Sequence, residues 1–288
     1  MIPNKWKALI LLGLGLLLTT ESIFSQDKEK KLGWFFETGV SGQWNGGNSQ
    51  SSTLSLGMDL TRVWHRAKLR FETLGTTTKS SLTSRTAIGT TEMFELREIT
   101  KTEKTAELYY ARVRLDYDMS NRFYALGGID WLRNIFAGID SRVLIGMGLG
   151  NTWANSKKLR FKTNYSMTYT FQNDVVQNPF LKTDFPGIRF EYDFWKQVTE
   201  STEFKSTLVV DWNLDHRSDI RMDFYCALPV SISKKLALKP SLRLLWRNAP
   251  SLVEVELFDS SGSPTGDKVV VPLGKMDSIL SLTLVVKI

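Results

Sequence analysis

The 288-residue chain has one cysteine, Cys226, and two histidines, His65 and His216. A lone thiol can form neither an intrachain disulfide nor a cysteine-rich metal site. Past residue 25 no apolar run approaches the roughly twenty residues that a membrane-crossing helix needs. Membrane insertion, if it occurs, must therefore be by strands. There is no glycine-rich phosphate loop leading into a helix, and no basic helix or aromatic RNA-binding motif. The formal charge of +7 is spread along strand-like segments, which argues against nucleic acid as a partner.

What is present begins at the N-terminus. The positive segment Met1-Ile2-Pro3-Asn4-Lys5-Trp6-Lys7 precedes an apolar run from Ala8 to Leu18, about eleven residues and too short to span a bilayer as a helix. Polar residues follow, and Ser25 offers a small side chain at a cleavage point. The expected organisation is a signal peptide at residues 1–25 and a single domain at 26–288. No cysteine stands near the cleavage point, so a lipid-anchored N-terminus is not expected.

The remainder alternates with period two. From Leu32 to Trp44, one face carries Leu32, Trp34, Phe36, Val40 and Trp44 and the other Glu37, Ser41 and Gln43. Trp34 and Trp44, ten residues apart, span about 33 Å of strand, or about 25 Å of height at a tilt near 40°, with a tryptophan at each edge of an apolar band. The same pattern recurs through the chain. Its clearest instance sets Leu159, Phe161, Tyr165, Met167, Tyr169 and Phe171 against Arg160, Lys162, Asn164, Ser166, Thr168, Thr170 and Gln172. The last strand alternates Leu280, Leu282, Leu284, Val286 and Ile288 up to the final residue, as in the assembly signal of outer-membrane barrels, although with Ile where Phe is usual.

About twelve such strands fit an all-β, transmembrane antiparallel β-barrel of the outer-membrane type. Strands of eleven to fifteen residues exceed the usual five or six of a soluble β-sandwich. Every second connection is tight, near His65-Arg66, Met119-Ser120-Asn121, Asn155-Ser156-Lys157, Val198-Thr199-Glu200 and Ser233-Lys234-Lys235, and is expected to face the periplasm. Thr78 to Lys104 and Asn248 to Lys275 are expected to be long extracellular loops. The expected location is the bacterial outer membrane. The expected partners are outer-membrane lipid, the barrel assembly machinery and small ions or solutes, with no cofactor.

The inward faces carry Arg70, Arg112, Arg114, Asp116, Asp118, Arg142, Arg160, Lys162, Arg189, Glu191, Asp193, Arg221, Asp223 and Arg243 as candidate lumen-lining residues, with Asp59, Glu72 and Asp211 on the same faces. Positive charge is in excess, and two readings follow. Rings of Arg and Lys around a continuous water path would favour anions. Alternatively, Arg112, Arg114 and Arg189 pair with Asp116, Asp118, Glu191 and Asp193 and plug the bore, because buried charges need partners. The carboxylate pairs Asp116 with Asp118 and Glu191 with Asp193 share their faces with arginines, so mutual compensation is expected over cation binding. Catalysis is not expected. His216, in Asp215-His216-Arg217-Ser218-Asp219, is the one place for a carboxylate-oriented base beside a hydroxyl, and a polar turn is the simpler reading. Surface binding through the long loops is the main alternative to a pore.

Gly47-Asn48-Ser49 leading into Leu54-Ser55-Leu56-Gly57, Tyr110-Ala111-Arg112 with Asp116-Tyr117, Phe123-Tyr124-Ala125-Leu126-Gly127-Gly128, and Ile139-Asp140-Ser141-Arg142 with Gly146-Met147-Gly148-Leu149-Gly150 together resemble the family of putative salt-induced outer membrane proteins, also called domain of unknown function 481. The resemblance implies a secreted barrel and an osmotic context. It implies no catalytic residues.

Overall fold

The computed structural model describes residues 32–45, 49–89, 94–261 and 263–287. The expected signal segment with Ser25, and the terminal Ile288, lie outside them. So do the side chains of residues 43–50, 82–98, 106 and 287, among them Trp44.

The strands are β1 Gly33–Asn45, β2 Ser49–Val63, β3 Ala67–Gly89, β4 Phe94–Asp118, β5 Phe123–Asn134, β6 Ile139–Asn155, β7 Leu159–Asp174, β8 Asp184–Gln197, β9 Glu203–Asn213, β10 Ile220–Ala227, β11 Val230–Ser231, β12 Leu236–Arg247, β13 Leu252–Phe258, β14 Pro264–Pro272 and β15 Met276–Lys287. β1 to β10 form an antiparallel meander in chain order; β10 then pairs with β12, β12 with β15 and β15 with β1. Twelve strands thereby close into one barrel, with the two-residue β11 also laid on β12. Closure removes the sheet edges that an open meander would expose. Among the twelve barrel strands the described pairing is shortest between β1 and β15, where it covers only Glu37 to Val40 against Leu284 to Lys287.

Five connections at one end are tight. Backbone bonds from Trp64 N–H to the Ala67 carbonyl (2.8 Å), Ser156 to Leu159 (2.8 Å), Val198 to Thr202 (2.9 Å) and Ile232 to Leu236 (2.8 Å) close four of them, and Met119 to Phe123 (3.0 Å) closes the fifth. Serines at the starts of three of these turns, Ser120, Ser156 and Ser233, accept backbone N–H bonds from residues two or three further on, the local chemistry for which serine is favoured in turns.

Three expectations need correction. Within the expected loop Thr78 to Lys104, residues 78–89 and 94–104 are strand: β3 runs on to Gly89 and β4 starts at Phe94, paired from Ala67↔Tyr117 to Gly89↔Phe94 with one irregularity near Thr78. The threonine-rich, alternating sequence there satisfies its backbone groups in a ladder that continues past the wall. Within 248–275, β13 and β14 form a separate hairpin. The expected strand from Ile220 to Ile232 is broken at Leu228-Pro229, because proline has no N–H for the ladder.

Position 150 requires glycine. A Cβ built there would lie 2.2 Å from the Tyr124 ring, so only glycine lets that ring lie against β6. Tyr124 is 2% exposed and donates to Asn164 Oδ1 at 2.7 Å. Gly150→Val is expected to lower stability in detergent by about 1–3 kcal/mol through overpacking. Gly57→Ala is the control, its Cβ having nothing nearer than 3.7 Å, and should leave the urea midpoint and heat-modifiable gel mobility unchanged. Equal effects of the two changes would contradict this account of Gly150.

Candidate functional site

The alternation gives the wall two chemically opposite surfaces. Outward residues such as Leu56, Val113, Leu115, Ile129, Ile145, Leu149 and Tyr165 are exposed, and Met147 and Met167 are 70% and 73% exposed. Trp34, Trp64, Tyr117, Phe123 and Trp153 cluster toward the tight-turn end of this apolar belt, and Trp131, Tyr169, Phe171 and Trp212 toward the other. Leaving a single large apolar side chain in water rather than in an apolar phase costs about 1.5–3 kcal/mol. A continuous belt of them, edged by aromatics, is matched to hydrocarbon.

The inner surface is charged and largely paired. On β4, Arg112 donates from Nε to Asp130 Oδ1 of β5 at 2.7 Å and from Nη2 to Glu191 Oε1 of β8 at 2.6 Å. Arg114 donates from Nε to Asp116 Oδ1 at 2.7 Å, from Nη1 to Glu191 Oε2 at 2.7 Å and from Nη2 to Asn164 Oδ1 at 3.0 Å. Arg189 of β8 joins Asp130 and, through Nε at 2.6 Å, Asp211 of β9. Arg142 of β6 reaches Asp211 Oδ2 at 2.7 Å. Four guanidinium groups thus meet four carboxylates, Asp116, Asp130, Glu191 and Asp211. Arg112–Asp130 and Arg189–Asp211 join adjacent strands, but three strands separate β4 from β8, so the contacts of Arg112 and Arg114 with Glu191 run through the interior rather than along the wall. The side chains of Arg189 and Glu191 are only 8% and 6% exposed. On the far side, Arg243 pairs with Asp223 and lies 5.7 Å from the centre of the Tyr110 ring, which joins β12 to β4 across the bore.

A second cluster lies toward the end with the longer connections. Asp219, 1% exposed, accepts from Arg221 Nη2 at 2.6 Å and from Arg247 Nε at 3.2 Å. Arg221 also donates to Gln172 Oε1 at 2.6 Å, and Arg247 to Ser251 Oγ at 2.7 Å. Two cavities of about 10 Å³ border Arg221, each with room for about one water.

The remaining lumen candidates are more dispersed. Arg70 bridges Asp59 and, at 2.7 Å, Glu72. Lys162 sits 4.9 Å from the centre of the Tyr124 ring, and the exposed Arg160 stacks 4.1 Å over Trp195. Asp118 is half-buried and Asp193 is exposed, both near the tight-turn end. Of the acceptors expected for Arg112, Arg114 and Arg189, the structure uses Asp116 and Glu191. Asp130 and Asp211 take the places expected for Asp118 and Asp193.

Asp130 and Asp219 went unnoticed in the sequence. Alternation against Ile129 and Trp131 already turns Asp130 inward. Asp219 falls by the same count on the inward face of Arg221 and Asp223, although it sits among turn residues.

The turn containing His216 is organised by other contacts. Asn213 Oδ1 accepts the Asp215 and His216 backbone N–H groups at 2.9 and 3.1 Å, and Asp215 pairs with Lys182 at 2.9 Å. Among the described residues no hydrogen bond joins the His216 and Ser218 side chains, and no group of three or more His, Cys, Asp or Glu side chains is arranged to hold a metal ion.

A closed, even-stranded barrel with an aromatic-edged apolar exterior and a polar interior defines a transmembrane β-barrel of the outer-membrane type. Within that class, the family described as "Protein of unknown function, DUF481" matches residues 38–260, and the chain belongs to it. No curated protein matches. Similar solved structures include the COG4313 outer membrane channel from Pseudomonas putida F1, at TM-score 0.43 and 9% identity, covering 92% of this chain and 100% of that one. The anion-selective porin from Comamonas acidovorans has a TM-score of 0.38 and 11% identity, covering 90% and 99% of the two chains. The NanC porin has a TM-score of 0.40 and 8% identity, covering 88% and 98%.

Removing one partner of a buried ion pair strands the other charge, at a cost of about 3–5 kcal/mol. Glu191→Ala, which strands two guanidinium groups, is therefore expected to lower the unfolding free energy in detergent by that amount. Asp193→Ala, at an exposed position, should change it by less than about 1 kcal/mol. Similar urea midpoints for the two variants would show that the interior is not a coupled network.

Proposed function

We propose that this protein is secreted with residues 1–25 as a cleaved signal peptide, is inserted in the outer membrane, and acts there as a structural barrel whose bore is closed at rest. The observation that carries the reading is the charge-matched network of Arg112, Arg114, Arg142 and Arg189 with Asp116, Asp130, Glu191 and Asp211, joined through the interior from β4 to β9. Twelve strands enclose a bore between the filled interior of eight-stranded barrels and the water channel of sixteen-stranded ones. Long paired side chains are enough to block such a bore. The tight turns face the periplasm in this reading, and the long β3–β4 hairpin and the β13–β14 hairpin project outside the cell.

Balanced charge also bears on selectivity. The excess of inward positive charge favours anions only along an open water path, and in this reading the paired side chains close that path. A closed bore suits the osmotic context that the family resemblance implies, because a barrel that does not leak adds no solute flux under salt stress. A surface-binding role for the projecting hairpins is the second reading. It is favoured by the exposure of Val255, Leu257, Phe258, Val269 and Val270 on the β13–β14 hairpin.

Planar-bilayer recording of the refolded protein tests the closed bore. The wild type is expected to show no steady conductance at low voltage, and the paired change Arg112→Ala with Glu191→Ala to introduce discrete open steps. A steadily open wild-type channel would overturn the reading, and an anion-preferring reversal potential in a salt gradient would establish the pore in its place.

A further inference from the structure

The two ends of the barrel differ in charge. The turns at the tight end, 64–66, 119–122, 156–158, 198–202 and 232–235, carry Arg66, Arg122, Lys157, Lys158, Lys234 and Lys235 against Glu200. The described connections at the other end carry Lys182, Arg217 and Lys275 against Asp215, Asp219 and Asp259, and are balanced. There Lys182 pairs with Asp215 at 2.9 Å, and Lys275 donates to Asn248 at 3.4 Å. The tight-turn cations are all exposed, and among the described residues no ion pair joins any of them to a carboxylate. Like charges gathered on one rim repel each other, so counter-charge must come from outside the chain.

The excess continues onto the lipid-facing surface, where it meets the apolar belt. Arg62 points outward with Leu60 on β2, opposite Trp34 on β1 and Leu69 on β3. Its Cζ lies 5.4 Å from the centre of the Trp34 ring and 5.6 Å from that of Trp64, and these residues are 60% and 40% exposed. The rings attract the cation but offer it no acceptor oxygen. Among the described residues no hydrogen bond or ion pair engages the Arg62 side chain, so its N–H donors are open to an acceptor from outside. Lys196 of β8 likewise points outward near this edge, opposite Leu159 and Phe204. Both cations are half-buried, their stems on apolar surface and their charges at the interface. This placement selects the partner. A polymer or protein in water would meet the turn tips but not Arg62 or Lys196, whereas a lipid phosphate lies at the level of the tryptophans.

We propose that the tight-turn rim binds anionic glycerophospholipid of the phosphatidylglycerol type. The phosphate accepts from Arg62 between Trp34 and Trp64, the acyl chains lie along the belt toward Met58 and Leu56, and Arg66 and the other turn cations neutralise neighbouring headgroups. A guanidinium suits this role because its paired donors match two phosphate oxygens. The site rests on the transmembrane reading of the barrel but not on the closed bore.

The test is native mass spectrometry of the refolded protein in nonionic detergent, titrated with phosphatidylglycerol, phosphatidylcholine of the same acyl chains, or lipid A. A basic side chain beside an anionic headgroup contributes about fivefold in affinity. The wild type is expected to prefer phosphatidylglycerol to phosphatidylcholine by at least that factor, and added salt to weaken the preference. Arg62→Gln should lower it about fivefold, and Arg62→Lys, which keeps the charge, should lower it less. Lys157→Gln with Lys158→Gln, at exposed turn positions that do not bear on folding, should also lower it. Arg217→Gln makes the same charge change at the other end and should leave it unaltered. Unchanged heat-modifiable gel mobility in each variant separates loss of the site from loss of the barrel, whereas a wild type that stays soluble without detergent would end the transmembrane reading itself. A wild type without preference, or equal losses in Arg62→Gln and Arg217→Gln, would overturn the proposal. So would lipid A retained as tightly as phosphatidylglycerol with the same dependence on Arg62, which would assign the rim to lipid A.

Discussion

The structure depends on the requirement that a charge removed from water be met by an opposite charge at hydrogen-bonding distance. Desolvating a guanidinium or carboxylate costs several kcal/mol, which only well-placed partners offset. Arg112, Arg114 and Arg189 meet that requirement only because four strands bring Asp130, Asn164, Glu191 and Asp211 within reach. Much of the wall is built to allow this. Gly150 admits the Tyr124 ring, Tyr124 holds Asn164, and Asn164 in turn donates to Glu191 at 3.2 Å. A local backbone property of β6 is thus linked to the position of a carboxylate on β8.

The outer surface answers to a different solvent. In a bilayer every backbone polar group must be satisfied within the protein, which only helices and closed barrels achieve, and no helix among the described residues is long and apolar enough to cross. The two solvents impose one period on the sequence, because a strand offers alternate side chains to each. Apolar residues face lipid without partners, and arginines face inward in networks. The short described ladder between β1 and β15 departs from this scheme.

Much of this arrangement was legible in the sequence, and the reason is the strict alternation of strands. The strand faces, the five tight turns and the inward orientation of Arg112, Arg114, Arg189 and Glu191 all follow from counting by two. What counting cannot supply is distance across the bore. Asp130 faces Arg112 directly in the β4–β5 hairpin, but whether Arg112 also reaches Glu191, four strands along the sheet from β4, depends on strand tilt and register around the closed ring, which no local pattern encodes. Residues 78–104 read as a loop because they extend past the length a bilayer requires, although their threonines and isoleucines suit a strand equally well. Asp219 illustrates a second limit. Alternation places Arg221 beside it, but the sequence is silent on Arg247, which the fold brings to it from β12. The early end of the β1–β15 ladder is likewise invisible locally, since both strands alternate without interruption.

The account's central claim is that the interior charges act as one coupled network. A double-mutant cycle of Arg112→Ala and Glu191→Ala, read by reversible urea unfolding of the barrel in detergent, measures this directly. The network predicts a coupling free energy above about 2 kcal/mol, because the second truncation removes the charge that the first one stranded. Additive effects, with coupling within about 0.5 kcal/mol of zero, would show that the two side chains sit in a solvated bore and would contradict the account.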